Sequence, residues 1–113
     1  MKDDNSINIV TDTNFHSCVI ESIKPVVVLF EKSYWGLAQV MRTILERLSI
    51  KYRGKIKFYR YSLDENSIIS NYYQVEDTTT ILFFKSGILI MKTGIKSVDE
   101  TEEILIKMIT EEN

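Results

Sequence analysis

The sequence predicts one α/β domain over residues 1–113, with a central mixed sheet of about five strands and helices on both faces. Three observations carry this. Through the first half of the chain, strand-like apolar runs alternate with segments of helical spacing, which demands right-handed crossovers and parallel strands. Val26-Val27-Val28-Leu29-Phe30 is a mostly β-branched run without polar alternation, the pattern of a strand buried on both faces. Towards the C-terminal end, two apolar runs flank Lys85-Ser86-Gly87, which reads as a tight antiparallel hairpin.

Ile7, Ile9 and Val10 open with a short strand. Thr11-Asp12-Thr13-Asn14 then offers N-cap side chains to a helix of about three turns. Phe15, Val19, Ile20 and Ile23 give that helix its apolar side, and Lys24-Pro25 ends it, because the residue before proline is biased away from helix. The central strand over 26–30 stops at the polar break Glu31-Lys32-Ser33. After Gly36, Leu37, Val40, Met41, Ile44, Leu45 and Leu48 form one apolar stripe, with Arg42, Glu46 and Arg47 on the opposite face. Gly54 is a good stop for that helix.

Ile56, Phe58, Tyr59 and Tyr61 predict the next strand, after which Asp64 caps a short helix over 65–73. A strand over 80–84 and its return over 88–92 follow, with a bend or bulge at Gly94. Ser97-Val98-Asp99-Glu100 is a capping box opening a last helix that uses Val98, Ile104 or Leu105, Met108 and Ile109. The tail Glu111-Glu112-Asn113 is expected to fray. Phe30, Phe58, Phe83 and Phe84 are the expected core aromatics.

Composition removes several function classes. The chain is 44 % apolar and 27 % charged, the balance of an ordinary soluble globular protein. A net charge of −2 weighs against a nucleic-acid module, so the basic cluster Lys51, Arg53, Lys55 and Lys57 reads as a solvated edge. The longest apolar run, over 25–30, is far short of the ~20 residues that span a bilayer. The polar, acidic start has no signal-peptide pattern, which makes the cytoplasm the expected compartment. One cysteine, Cys18, and one histidine, His16, exclude an intrachain disulfide, a cysteine cluster and a histidine-rich metal site. Asp64, Glu65, Asp99 and Glu100 read as helix caps rather than metal ligands or acid–base pairs. No metal or cofactor is expected.

The element order and several residues within it resemble the thioredoxin family over about residues 7–109. Thr11-Asp12 with Phe15 looks like that family's first helix start, and Pro25 with the run over 26–30 looks like its central strand. Tyr34-Trp35-Gly36-Leu37-Ala38 sits where the family carries Trp-Cys-Gly-Pro-Cys. Asp64-Glu65-Asn66 resembles the Asp-x-Asn after the third strand. Thr80-Ile81-Leu82-Phe83-Phe84-Lys85-Ser86-Gly87 resembles the family hairpin, and Gly94 its strand-end glycine.

The departures fall on the chemistry. By this resemblance Trp35 occupies the nucleophilic cysteine position, Ala38 the resolving cysteine, Thr79 the cis-proline and Leu29 the buried aspartate that assists proton transfer. Disulfide reduction of this type needs a thiolate and a second thiol to resolve the mixed disulfide. An indole supplies neither. Cys18 lies in a separate segment, and on a helix its side chain and that of His16, two positions away, point in different directions. It reads as a small half-buried residue, with a redox role as the alternative.

The resemblance therefore implies a redox-inactive domain that binds a protein or peptide partner through the former active-site face. Some members of this kind resemble chaperones that hold a cofactor-bearing enzyme subunit before export or assembly. The candidate surface is Tyr34, Trp35, Val75, Asp77, Thr78 and Thr79. Two readings of Trp35 stay open: a binding hot spot, or a plug that fills the groove. The alternative function is membership in cell redox homeostasis through Cys18 or a partner thiol.

Overall fold

A computed structural model describes residues 7–32, 35–76 and 78–110. Tyr34 and Asp77, both predicted for the interaction surface, lie outside these residues, as do the N-terminal stretch 1–6 and the tail 111–113. The sheet has five strands: β1 (Asn8–Ile9), β2 (Val26–Glu31), β3 (Lys57–Ser62), β4 (Thr80–Lys85) and β5 (Ile88–Thr93), in spatial order β1-β3-β2-β4-β5. β3 runs parallel to both β1 and β2, while β4 is antiparallel to β2 and β5. The helices are α1 (Gly36–Lys51), α2 (Ile68–Tyr72) and α3 (Val98–Thr110).

β2 lies at the centre and is buried along its whole length, as its unbroken apolar run requires. Alternate side chains divide the core in two. Val27, Leu29, Phe58, Ile81 and Phe83 meet Met41, Leu45 and Leu48 of α1 and Leu105 and Met108 of α3. Val26, Val28, Phe30, Tyr61, Leu82 and Phe84 face Phe15, Val19 and Val75 on the other side. The β4–β5 turn uses positive φ at Ser86 (54°) and Gly87 (78°), the backbone of a two-residue hairpin turn. A Cβ on Gly87 would sit 2.5 Å from the Ile20 carbonyl oxygen, so glycine is required there for space as well. The capping box forms: Glu100 N–H donates to Ser97 Oγ (3.1 Å), and Ser97 N–H donates to Glu100 Oε1 (3.1 Å).

Several sequence expectations change. The three-turn first helix is a five-residue π-helical segment, His16–Ile20, and Ile23 is 94 % exposed instead of on an apolar face. Asn14 Oδ1 is engaged by Thr11 N–H (2.7 Å), which makes a local turn, and Ser22 Oγ bridges to the Lys24 backbone, which closes the chain after it. Asp64 does not cap α2. The bulge lies inside the hairpin, where the register shifts between Phe83 and Phe84, while Gly94 makes the predicted bend.

On α1 the buried arc is Ala38, Met41, Leu45 and Leu48, so Leu37 (63 %) and Val40 (51 %) stay exposed. Glu31 belongs to β2 and is buried, and Arg42, expected on a solvent face, reaches it. The Arg42 guanidinium donates through Nη2 to Glu31 Oε1 (2.7 Å) and through Nε to Oε2 (3.2 Å). The two side chains are only 17 % and 4 % exposed.

Candidate functional site

α1 starts abruptly. Trp35 is its N-cap residue in extended conformation (φ −77°, ψ 128°), with no side-chain cap and no acidic residue in the first turn. Backbone bonds fix this corner: Trp35 N–H donates to the Lys32 carbonyl (3.1 Å), and Gln39 N–H to the Trp35 carbonyl (3.2 Å). The indole is half-buried, and the Lys32 ammonium stands 5.6 Å from its ring centroid, within cation–π range. The loop before β4 approaches from the opposite side. Thr78 N–H donates to the Glu76 carbonyl (2.7 Å) and Thr80 Oγ1 to the Thr78 carbonyl (3.1 Å), which tightens that loop onto the strand end.

Between them lies an open cleft of about 490 Å³, walled by Trp35, Gly36, Leu37, Thr78, Thr79, Gly94 and Ile95. Its surface is mostly apolar, because Leu37 and Ile95 are left exposed at its rim. Trp35 forms one wall and leaves the cleft open. The structure thus brings together Trp35, Gly36, Leu37, Thr78 and Thr79 of the predicted residues. Ala38 is fully buried one turn into α1, and Leu29 is fully buried against the α1 side of the sheet. Thr79 is buried, and no cis peptide occurs among the described residues. Val75 is buried in the opposite core cluster and does not reach the cleft.

Gly94 and Ile95 are cleft residues that sequence reasoning missed. An isoleucine directly after the strand-end glycine is the signal the sequence carries.

None of the residues that line the cleft carries a thiol. Cys18 packs half-buried against the core cluster on the sheet face away from α1. Burial raises the Tyr59 hydroxyl pKa, and the Cys18 thiol beside it raises it further. His16 is on the surface, 3.5 Å from Glu21 Oε2. Among the described residues, no group of three or more His, Cys, Asp or Glu is placed to hold a metal ion, and no helix is long and apolar enough to cross a membrane. The basic cluster is exposed, and Lys51 pairs with Glu102.

The family model described as Thioredoxin matches residues 6–111. A thioredoxin of Rickettsia felis is 35 % identical over 80 residues, covering 71 % of this chain and 76 % of the relative. The mitochondrial thioredoxin of Mus musculus is 30 % identical over 105 residues, 92 % of this chain and 63 % of the relative. The chloroplastic M-type thioredoxin of Pisum sativum is 34 % identical over 83 residues, 74 % of this chain. The matched region spans about half, 48 %, of the pea protein's length.

Proposed function

The chain belongs to the thioredoxin family, and from that premise we propose that it is a redox-inactive, non-enzymatic member that binds an extended apolar segment of a protein partner in the Trp35 cleft. One observation carries the reading. By the resemblance, Trp35 and Ala38 stand at the two active-site cysteine positions, and the cleft that Trp35 walls is open and mostly apolar. A tryptophan anchored by a cation on one wall of an apolar cleft supplies the kind of rigid contact that dominates binding energies. A chaperone role, without a cofactor, nucleic acid or membrane, belongs to the same reading. So does a cytoplasmic location, which imaging of the tagged full-length chain tests.

Trp35 is the only tryptophan, so its emission reports on the cleft directly. Titration with a panel of extended apolar peptides is expected to shift that emission to the blue and protect it from acrylamide. Leu37→Glu, at the rim, is expected to abolish the shift while leaving the melting temperature unchanged. If no peptide alters the emission, or the shift survives Leu37→Glu, the cleft is not the binding surface.

The names of the relatives favour a second reading, in which the chain serves redox chemistry through Cys18 or a partner thiol. Disulfide reduction that disappears in Cys18→Ser would select it.

A further inference from the structure

We propose that the outer groove between α3 and β5 is the contact through which two copies of this chain pair about a two-fold axis, with their α3 helices antiparallel. The groove, about 340 Å³, has an apolar floor of Ile90, Met91, Ile104 and Met108 and carries Glu103 and Lys107 on its helix rim. It shares no lining residue with the Trp35 cleft. Ile90 (46 %) and Met91 are exposed. Ile88 (65 %), which pairs with Lys85 across the hairpin, extends the same apolar strip, because directly opposed residues share a sheet face.

The charges identify the occupant. Glu103 and Lys107 stand four positions apart on α3, a spacing at which side chains can meet, yet no ion pair joins them within the chain. A two-fold axis through the midpoint of that pair sets each Glu103 against the partner's Lys107, so one short stretch of helix is complementary to itself. Lys85, the other groove cation, lies on the strand side, off this rim. A net charge of −2 adds little long-range repulsion between copies. The bulge that leaves Ile90 unpaired bends the β5 edge, which disfavours strand-to-strand pairing and leaves the groove face as the contact.

Charge reversal tests the register as well as the association. The full chain is expected to show a concentration-dependent monomer–dimer equilibrium in sedimentation velocity. Glu103→Lys and Lys107→Glu should each weaken it by about tenfold or more, since like charges then oppose twice per dimer. The double reversal in one chain restores the net charge and should restore the dimer. An equimolar mixture of the two single variants should form a heterodimer. Both residues are exposed, so melting temperatures serve as the fold control. A wild-type chain that stays monomeric at every concentration overturns the proposal. So does a dimer indifferent to the single reversals, or one that Leu37→Glu removes while the α3 variants keep it.

Discussion

Asp12 accepts four hydrogen bonds from residues 49 to 57 positions further along the chain: the Tyr61 hydroxyl at 2.6 Å, and the backbone N–H groups of Ser67, Ile68 and Ile69 at 3.0–3.1 Å. It caps α2 from a distant loop and pins that loop to β3 at the same time. Asp12→Ala removes a cap, at about 1 kcal/mol. It also leaves the buried Tyr61 hydroxyl without its acceptor, at about 1–3 kcal/mol. A total loss of about 2–4 kcal/mol in urea unfolding is expected. Arg42 is a second such residue. Arg42→Ala takes both guanidinium hydrogen bonds from the buried Glu31 carboxylate and leaves it only Arg60 Nε, 3.5 Å away, so about 3 kcal/mol is expected to be lost, against the few tenths typical of a solvent-facing helix position. Neither role was legible in the sequence. A side chain that caps a helix more than fifty residues away leaves no local pattern, and Glu31 after an apolar run looks the same whether it ends a strand or continues it into a guanidinium.

At the scale of elements the sequence was far more readable. The β-branched run of β2, the glycine turn of the hairpin and the Ser97–Glu100 box each carry their cause in adjacent residues, and each formed as expected. The first helix failed because apolar spacing at Phe15, Val19, Ile20 and Ile23 cannot register the Asn14 and Ser22 side-chain bonds that stop it. α1 was right in extent and off in face. A stripe of six apolar residues is wider than the buried arc, and Leu37 and Val40, the surplus, remain exposed. Of that surplus, Leu37 joins Trp35 in the cleft wall. Leu45, fully buried at the centre of the arc, tests the corrected register: Leu45→Ala is expected to lose about 2–5 kcal/mol. Val40→Ala should stay within about 0.5 kcal/mol.

For the molecule as a whole, titration reports how the pieces are tied together. Burial alone would raise the Asp12 carboxyl, but the Tyr61 hydroxyl and the three backbone N–H groups outweigh it and hold its pKa below the ordinary value of 3.8. A depressed folded value contributes stability that is fully present above the unfolded pKa and lost as pH falls through the folded one. Asp12→Asn should therefore flatten the acid limb of a pH–stability curve. Tyr52 does the opposite at high pH. Burial, and then the hydrogen bond to Glu102, push its hydroxyl from 10.0 up to about 12. Its contribution is complete below 10.0 and disappears as pH rises to about 12. Tyr52→Phe is expected to remove that alkaline loss.

The proposed function implies that the scaffold should still accept a restored dithiol. Trp35→Cys with Ala38→Cys places two thiols one helical turn apart and is expected to form a disulfide, detectable as a mass loss of two hydrogens. Turnover should remain poor, because Leu29 cannot relay a proton and Thr79 stands in place of the family's proline. Insulin reduction by the unaltered protein shows whether any thiol chemistry remains. With dithiothreitol as electron source, the rate is expected to equal that of dithiothreitol alone at every protein concentration. A rate that rises with protein concentration and falls to background in Cys18→Ser would contradict this expectation.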